Sequence, residues 1–223
     1  MKYAILGSGK IGSALARAFA RQNIKVGIAN TRGPASLAAL TKELGTNVVP
    51  QPLREALEAE VIFLAVPFSA YKDVARQRER WNGKIIVDTM NTFHTHSEEL
   101  GGRLSSELVS EAFAGAYLVK GFNHLPAEQL GAKPSLPSQR QAIFLSSNEP
   151  GASKTVAALV QELGFAPVEL GRLDQGGVPL HLLADGPEVS CFRISLITAE
   201  CLGEGWSARI TFRSASNRGG RKR

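Results

Sequence analysis

An α/β fold with a doubly wound, mostly parallel sheet is predicted for this chain by three observations. The first ninety residues alternate apolar runs of strand length with amphipathic stretches of helix length, the pattern of repeated βαβ units. The run Val61 to Val66 is apolar throughout, as a central parallel strand must be when helices cover both of its faces. With 223 residues, 43% hydrophobic and 21% charged, the chain has the balance of a soluble globular protein and length for one core plus a modest addition.

The elements follow in order. Strands are expected at Lys2 to Leu6, Ile24 to Ile28, Val48-Val49, Val61 to Val66 and Ile85 to Asp88. Between the first two, Ile11, Ala14, Leu15, Ala18 and Phe19 recur at helical spacing; Leu37, Leu40 and Leu44 do so in the next segment, which Gly45 ends. After the polar stretch Thr89 to Gly102 come a helix from Ser105 to Phe113 and a strand from Ala116 to Phe122. Two further strands, Ile143 to Leu145 and Phe165 to Leu170, flank a helix over Ala152 to Leu163 that Gly164 stops. Prolines 134 and 137 mark Gly131 to Ser138 as the most flexible connection. The spacing of Ile194, Leu196 and Ile197 predicts a short helix that packs on the core or on a second subunit, which leaves a homodimer open.

Chemistry is carried first by Gly7-Ser8-Gly9-Lys10-Ile11-Gly12, a GxGxxG run directly after a strand and directly before an amphipathic helix. In a Rossmann-type domain the first glycine permits the turn, the second admits a pyrophosphate to the main chain, and the third lets helix and sheet approach. The free N–H groups and positive dipole end of the helix face the phosphates. The second signal is the end of the second strand, Ile28-Ala29-Asn30-Thr31-Arg32-Gly33-Pro34. A carboxylate there would take the ribose hydroxyls of NAD and repel the extra phosphate of NADP, and the segment contains none. It offers instead the Thr31 hydroxyl and the Arg32 guanidinium beside Asn30, donors suited to phosphate oxygens. Charge-assisted hydrogen bonds of about 1.5–3 kcal/mol apiece would let two such contacts favour NADP by roughly a hundredfold or more.

These two segments, together with Ala65-Val66-Pro67, Asp88-Thr89-Met90-Asn91 and Lys120-Gly121-Phe122-Asn123-His124-Leu125-Pro126, resemble the NADPH-dependent reductases of the deazaflavin coenzyme F420. The resemblance spans about residues 1 to 175 and extends to the cytoplasmic domains of metal-reducing membrane proteins. It implies an NADPH-dependent oxidoreductase that passes hydride to a deazaflavin, a flavin or another small-molecule acceptor stacked on the nicotinamide. By the same resemblance Val66 and Pro67 floor the nicotinamide ribose, and Asn91 borders the ring. Phe122, Asn123 and His124 line the acceptor's entrance, with His124 the one candidate general acid or base. All three segments follow predicted parallel strands, whose carboxyl ends are where open α/β sheets bind ligands. From Pro179 onward the likeness fades.

Other functions are disfavoured by composition and spacing. The net charge of +6 suggests nucleic acid, but Arg213, Arg218, Arg221, Lys222 and Arg223 sit in the last eleven residues, and the rest holds 21 basic against 20 acidic residues. No segment approaches the roughly 20 apolar residues of a membrane span, and the N-terminus has no signal-peptide core, so a cytoplasmic location is expected. Cys191 and Cys201 fit reduced thiols, and the His94/His96 pair lacks a third ligand at metal spacing, so no metal is assigned. The organisation expected is a nucleotide-binding domain over 1–178, a short extension over 179–212 and a basic, disordered tail over 213–223. A non-catalytic NADP(H) sensor is the competing reading. A hydroxy-acid or imino-acid dehydrogenase would need a long helical second domain for which this chain is too short.

Overall fold

In a computed structural model, the structure describes residues 1–92, 95, 100–133 and 140–176, and the backbone of two strands within 196–211. The strands are β1 (Tyr3–Leu6), β2 (Val26–Ala29), β3 (Val48–Pro50), β4 (Val61–Leu64), β5 (Ile85–Asp88), β6 (Tyr117–Gly121), β7 (Arg140–Ser147), β8 (Ala166–Glu169), β9 (Leu196–Leu202) and β10 (Gly205–Thr211). The helices are α1 (Lys10–Arg21), α2 (Ala38–Leu44), α3 (Leu53–Ala56), α4 (Tyr71–Ala75), α5 (Ser105–Ala112), α6 (Ala127–Gly131) and α7 (Pro150–Glu162).

The parallel strands lie in the order β3-β2-β1-β4-β5-β6. The chain winds outward from β1 to β3 and then returns to place β4 against the other side of β1. That reversal opens a crevice beyond the carboxyl ends of β1 and β4. Alternation along the strands feeds two cores: Ile5, Phe63 and Val87 pack with α1 and α7, and Ala4, Leu6, Ile62, Leu64 and Ile86 pack with Tyr71, Trp81 and Phe113 on the opposite face. In the first core Phe19, Phe63 and Phe122 stack edge to face at centroid spacings of 5.6 Å.

Beyond β6 the sheet changes sense: β7 runs antiparallel to β6, and β8 runs parallel to β7. The C-terminal segment differs from the expected short helix. Leu196 and Ile197 lie in β9, which forms an antiparallel hairpin with β10 and pairs with β7 through Arg140 opposite Ala199 and Gln141 opposite Thr198. Residues 196 and 197 are therefore extended, and their backbone groups are satisfied by strand pairing rather than by a helix. Ile194, His94, His96 and the basic tail lie outside the described residues.

Candidate functional site

A cavity of about 520 Å³ occupies the crevice where the winding reverses. Its walls are the loops after β1 (Gly7, Ser8, Gly9), β2 (Asn30, Thr31, Arg32) and β4 (Ala65, Val66, Pro67). These are nine of the residues the sequence assigns to the cofactor, and the volume lies within the range of small-molecule sites. Two other hollows, of about 500 and 440 Å³, lie by Tyr71, Arg76 and Leu108 and by Lys2, Gly27 and Gln51, away from these loops.

The glycines act in three different ways. Gly7 has φ +107°, and a Cβ on it would stand 2.1 Å from the Ala65 carbonyl oxygen. At Gly12 a Cβ would stand 2.0 Å from the oxygen of Gly7, so any side chain would push α1 off the β1 loop. A Cβ at Gly9 would meet nothing within 4 Å, because the main chain there borders open space. Ser13 donates its N–H to the Gly9 carbonyl at 2.9 Å, and the preceding turn has no helical acceptors of its own. Lys10 and Ile11 belong to that turn and do not line the cavity.

Asn30 is the organiser of the β2 loop. Its amide nitrogen donates to the Ser8 hydroxyl at 2.8 Å and to the Ser36 hydroxyl at 3.0 Å, and its oxygen accepts the Arg32 N–H at 3.0 Å. The nitrogen end of that amide thus ties the loop to the glycine turn, and the oxygen end braces the loop itself. Arg32 is exposed, and its guanidinium has no hydrogen-bond or ion-pair partner among the described residues. A free guanidinium beside an open main-chain cradle is a donor set that fits a phosphorylated ribose and a diphosphate.

The remaining predicted residues sit farther along the same sheet edge, after β5 and β6. Asn91 donates its amide to the Asn123 carbonyl at 3.0 Å, and Asn123 donates its own to the Asn91 side-chain oxygen at 3.1 Å. This reciprocal clasp joins the two loops. Phe122, expected on a pocket wall, is wholly buried against Phe63, and its φ of +66° turns the chain sharply after β6. The His124 ring packs on Phe144 at 4.8 Å, with Nε2 3.1 Å from the Ala142 carbonyl oxygen. A carbonyl only accepts, so Nε2 carries the proton, and the enclosed Nδ1 has no partner among the described residues. Burial lowers the pKa of His124 to about 4, against the opposing pull of the Ala142 hydrogen bond. At neutral pH this imidazole is uncharged and its proton is committed to Ala142.

Two features lie outside the sequence reading. Leu53, Ala70, Asp73, Val74 and Gln77 complete the cavity; their signal is position, since α4 follows the Val66-Pro67 loop at the same strand end. Asp88 and Lys120 form a buried ion pair at 3.1 Å, with Asp88 fully enclosed and Lys120 only 3% exposed. Lys120 also donates to the Met90 carbonyl at 2.5 Å, and the Met90 N–H donates to Asp88 Oδ1 at 2.9 Å. A lysine inside an otherwise apolar strand is the signal for that pair.

The strand order, the reversal and the glycine turn define a Rossmann-type dinucleotide-binding fold. Residues 2–92 match the family described as NADP oxidoreductase coenzyme F420-dependent. It is similar to the crystal structure of hypothetical protein SMa0349 from Sinorhizobium meliloti, at 46% identity and a TM-score of 0.75 over 79% of this chain and 88% of that one. A protein from Arthrobacter sp. FB24, described as an F420-dependent NADP-reductase, is 25% identical with a TM-score of 0.64 over 81% of this chain and 90% of that one. Among curated relatives, Metalloreductase STEAP3 of Rattus norvegicus is 31% identical over 188 residues, 82% of this chain. The chain spans only 37% of that relative's length. Among the described residues no helix is long and apolar enough to cross a membrane.

Proposed function

We propose that the protein is an NADPH-dependent oxidoreductase that transfers hydride between NADP(H) and a flat-ringed acceptor, a deazaflavin or a flavin. One observation carries the reading: the Arg32 guanidinium, unpaired among the described residues, and the open Gly9 main chain face one cavity. Gly9 and the first turn of α1 receive the diphosphate, and Thr31 and Arg32 hold the additional phosphate of the adenosine ribose. Val66 and Pro67 border the nicotinamide ribose. The Asn91–Asn123 clasp fixes the loops on the side where the acceptor enters. Bound NADPH would supply the hydride, and alignment of the two rings is the protein's main contribution. No charged acid is needed there, because a proton for the reduced acceptor comes from solvent, which agrees with the uncharged state of His124. The resemblance to deazaflavin reductases favours that acceptor class over the metal chelate suggested by the metalloreductase relative's name. We also propose a cytoplasmic location, in keeping with such a small-molecule reaction.

Arg32→Ala tests the cofactor assignment. Loss of one charge-assisted contact weakens NADPH binding by about 10- to 100-fold and leaves NADH nearly untouched, read by titration calorimetry. Equal losses for both nucleotides remove the assignment. The acceptor is tested by mixing protein and NADPH with coenzyme F420, FMN, FAD and a ferric chelate in turn. Turnover with coenzyme F420 supports the reading; NADPH binding with no turnover on any of the four makes the protein a nucleotide sensor instead.

A further inference from the structure

The dinucleotide's charged groups account for only part of the cavity. The glycine loop and the Thr31-Arg32 segment take the phosphates, and Val66-Pro67 leads toward the nicotinamide. What remains is a wall of three partly buried apolar side chains, Leu53, Ala70 and Val74, edged by Gln77 and Asp73. Apolar walls suit the two flat faces of a purine, and a purine differs from other flat rings by its hydrogen-bonding edge.

Two polar side chains border the wall where that edge would lie, Gln77 and Asp73. Gln77 Nε2 donates to the Asp73 carbonyl at 3.1 Å, which fixes the amide and leaves Oε1 without a hydrogen-bond partner among the described residues. The Asp73 carboxylate is engaged, through Oδ1, by Arg76 at 2.9 Å. An amide oxygen held in this way accepts and does not donate. Adenine offers an exocyclic amino group that donates, whereas a 6-oxo purine presents an oxygen at the same place. Turning the amide so that its nitrogen takes the place of Oε1 would break the bond to Asp73.

We propose that Gln77 is a specificity-determining residue that reads the 6-amino group of the nucleotide's purine through Oε1. The inference rests on the NADP(H) reading above. It assigns to α4 and the residues just after it a selectivity for adenine that is separate from the phosphate selectivity of Arg32.

The test compares NADPH with its nicotinamide hypoxanthine counterpart, identical except for an oxo group at purine position 6, by titration calorimetry on the full chain. Wild-type protein is expected to prefer NADPH by about three- to tenfold, the range of one neutral hydrogen bond. Gln77→Ala lies on an exposed surface and is expected to bring the two within about twofold, while keeping the full preference for NADPH over NADH. Asp73→Asn is expected to leave the purine preference in place. No preference in the wild type, a preference that survives Gln77→Ala, or one lost with Asp73→Asn overturns the inference alone. Failure of both nucleotides to bind overturns it together with the NADP(H) reading.

Discussion

An imidazole whose one polar contact is a carbonyl must keep a proton on the nitrogen facing it, and protonating the other nitrogen would place a charge in an enclosed site with no partner. His124 is in that position, with its pKa lowered from 6.5 to about 4. The unfolded chain binds a proton at this residue below about pH 6.5, while the folded chain stays neutral until about pH 4. Stability linked to His124 is therefore fully present above pH 6.5 and is lost as pH falls through 4, in all by about 3 kcal/mol. Urea denaturation of His124→Gln at pH 7 and pH 4.5 is expected to show a smaller fall than wild type over that interval; an unchanged fall would mean that other groups carry the acid sensitivity. Residue types in the sequence disclose part of this scale. Glycines at 7 and 12 announce their roles because a side chain at either would collide with main-chain oxygen, and Gly9 does so through its place between them, where the main chain lies open. Asn30 and Phe122 do not: whether an amide faces a ligand or its own loop, and whether a strand-end ring faces cavity or core, depends on loop geometry that spacing does not encode.

Elements at the β5 and β6 ends are joined by polar groups taken out of water. Asp88 and Lys120 face each other in register, the Thr89 hydroxyl reaches the Leu64 carbonyl at 2.7 Å, and the two asparagines close the outer edge. Breaking a buried pair from one side strands the other charge, which typically costs about 3–5 kcal/mol. Lys120→Met is expected to lose that much in urea denaturation at pH 7, and Lys120→Met combined with Asp88→Asn to recover most of it. A double variant no more stable than the single one would show that charge pairing is not what holds these strands. Strands and helices of the first half are legible because their periods of 2 and 3.6 are sustained and bounded by glycine. Near the end, Ile194, Leu196 and Ile197 fit one helical turn as well as an extended run. The separating signal is farther on: Trp206, Ala208 and Ile210 alternate with Ser207, Arg209 and Thr211 in β10.

At the scale of the whole molecule, the parallel arrangement is legible in apolar strands separated by helices, but the order is not, because spacing does not say on which side of β1 the returning chain will lie. The structure places β4 there, so the loops after β1, β2 and β4 surround one crevice although they lie about twenty to sixty residues apart in the chain. A nucleotide seated in it would touch three adjacent strands at once and bind only when all three are in place. Ligand that binds the folded state alone stabilises it by about 2.7 kcal/mol at one hundred times its dissociation constant. For a chain of this size that raises the melting temperature by roughly 5–10 °C. At the same NADPH concentration, Arg32→Ala with 10- to 100-fold weaker binding retains only about 0.4–1.4 kcal/mol of that stabilisation. Differential scanning calorimetry of both proteins with NADPH and with NADH separates the outcomes. A shift that shrinks in Arg32→Ala with NADPH and stays constant with NADH ties whole-chain stability to the extra phosphate. Equal shifts with both nucleotides in both proteins would place the stabilising contacts elsewhere.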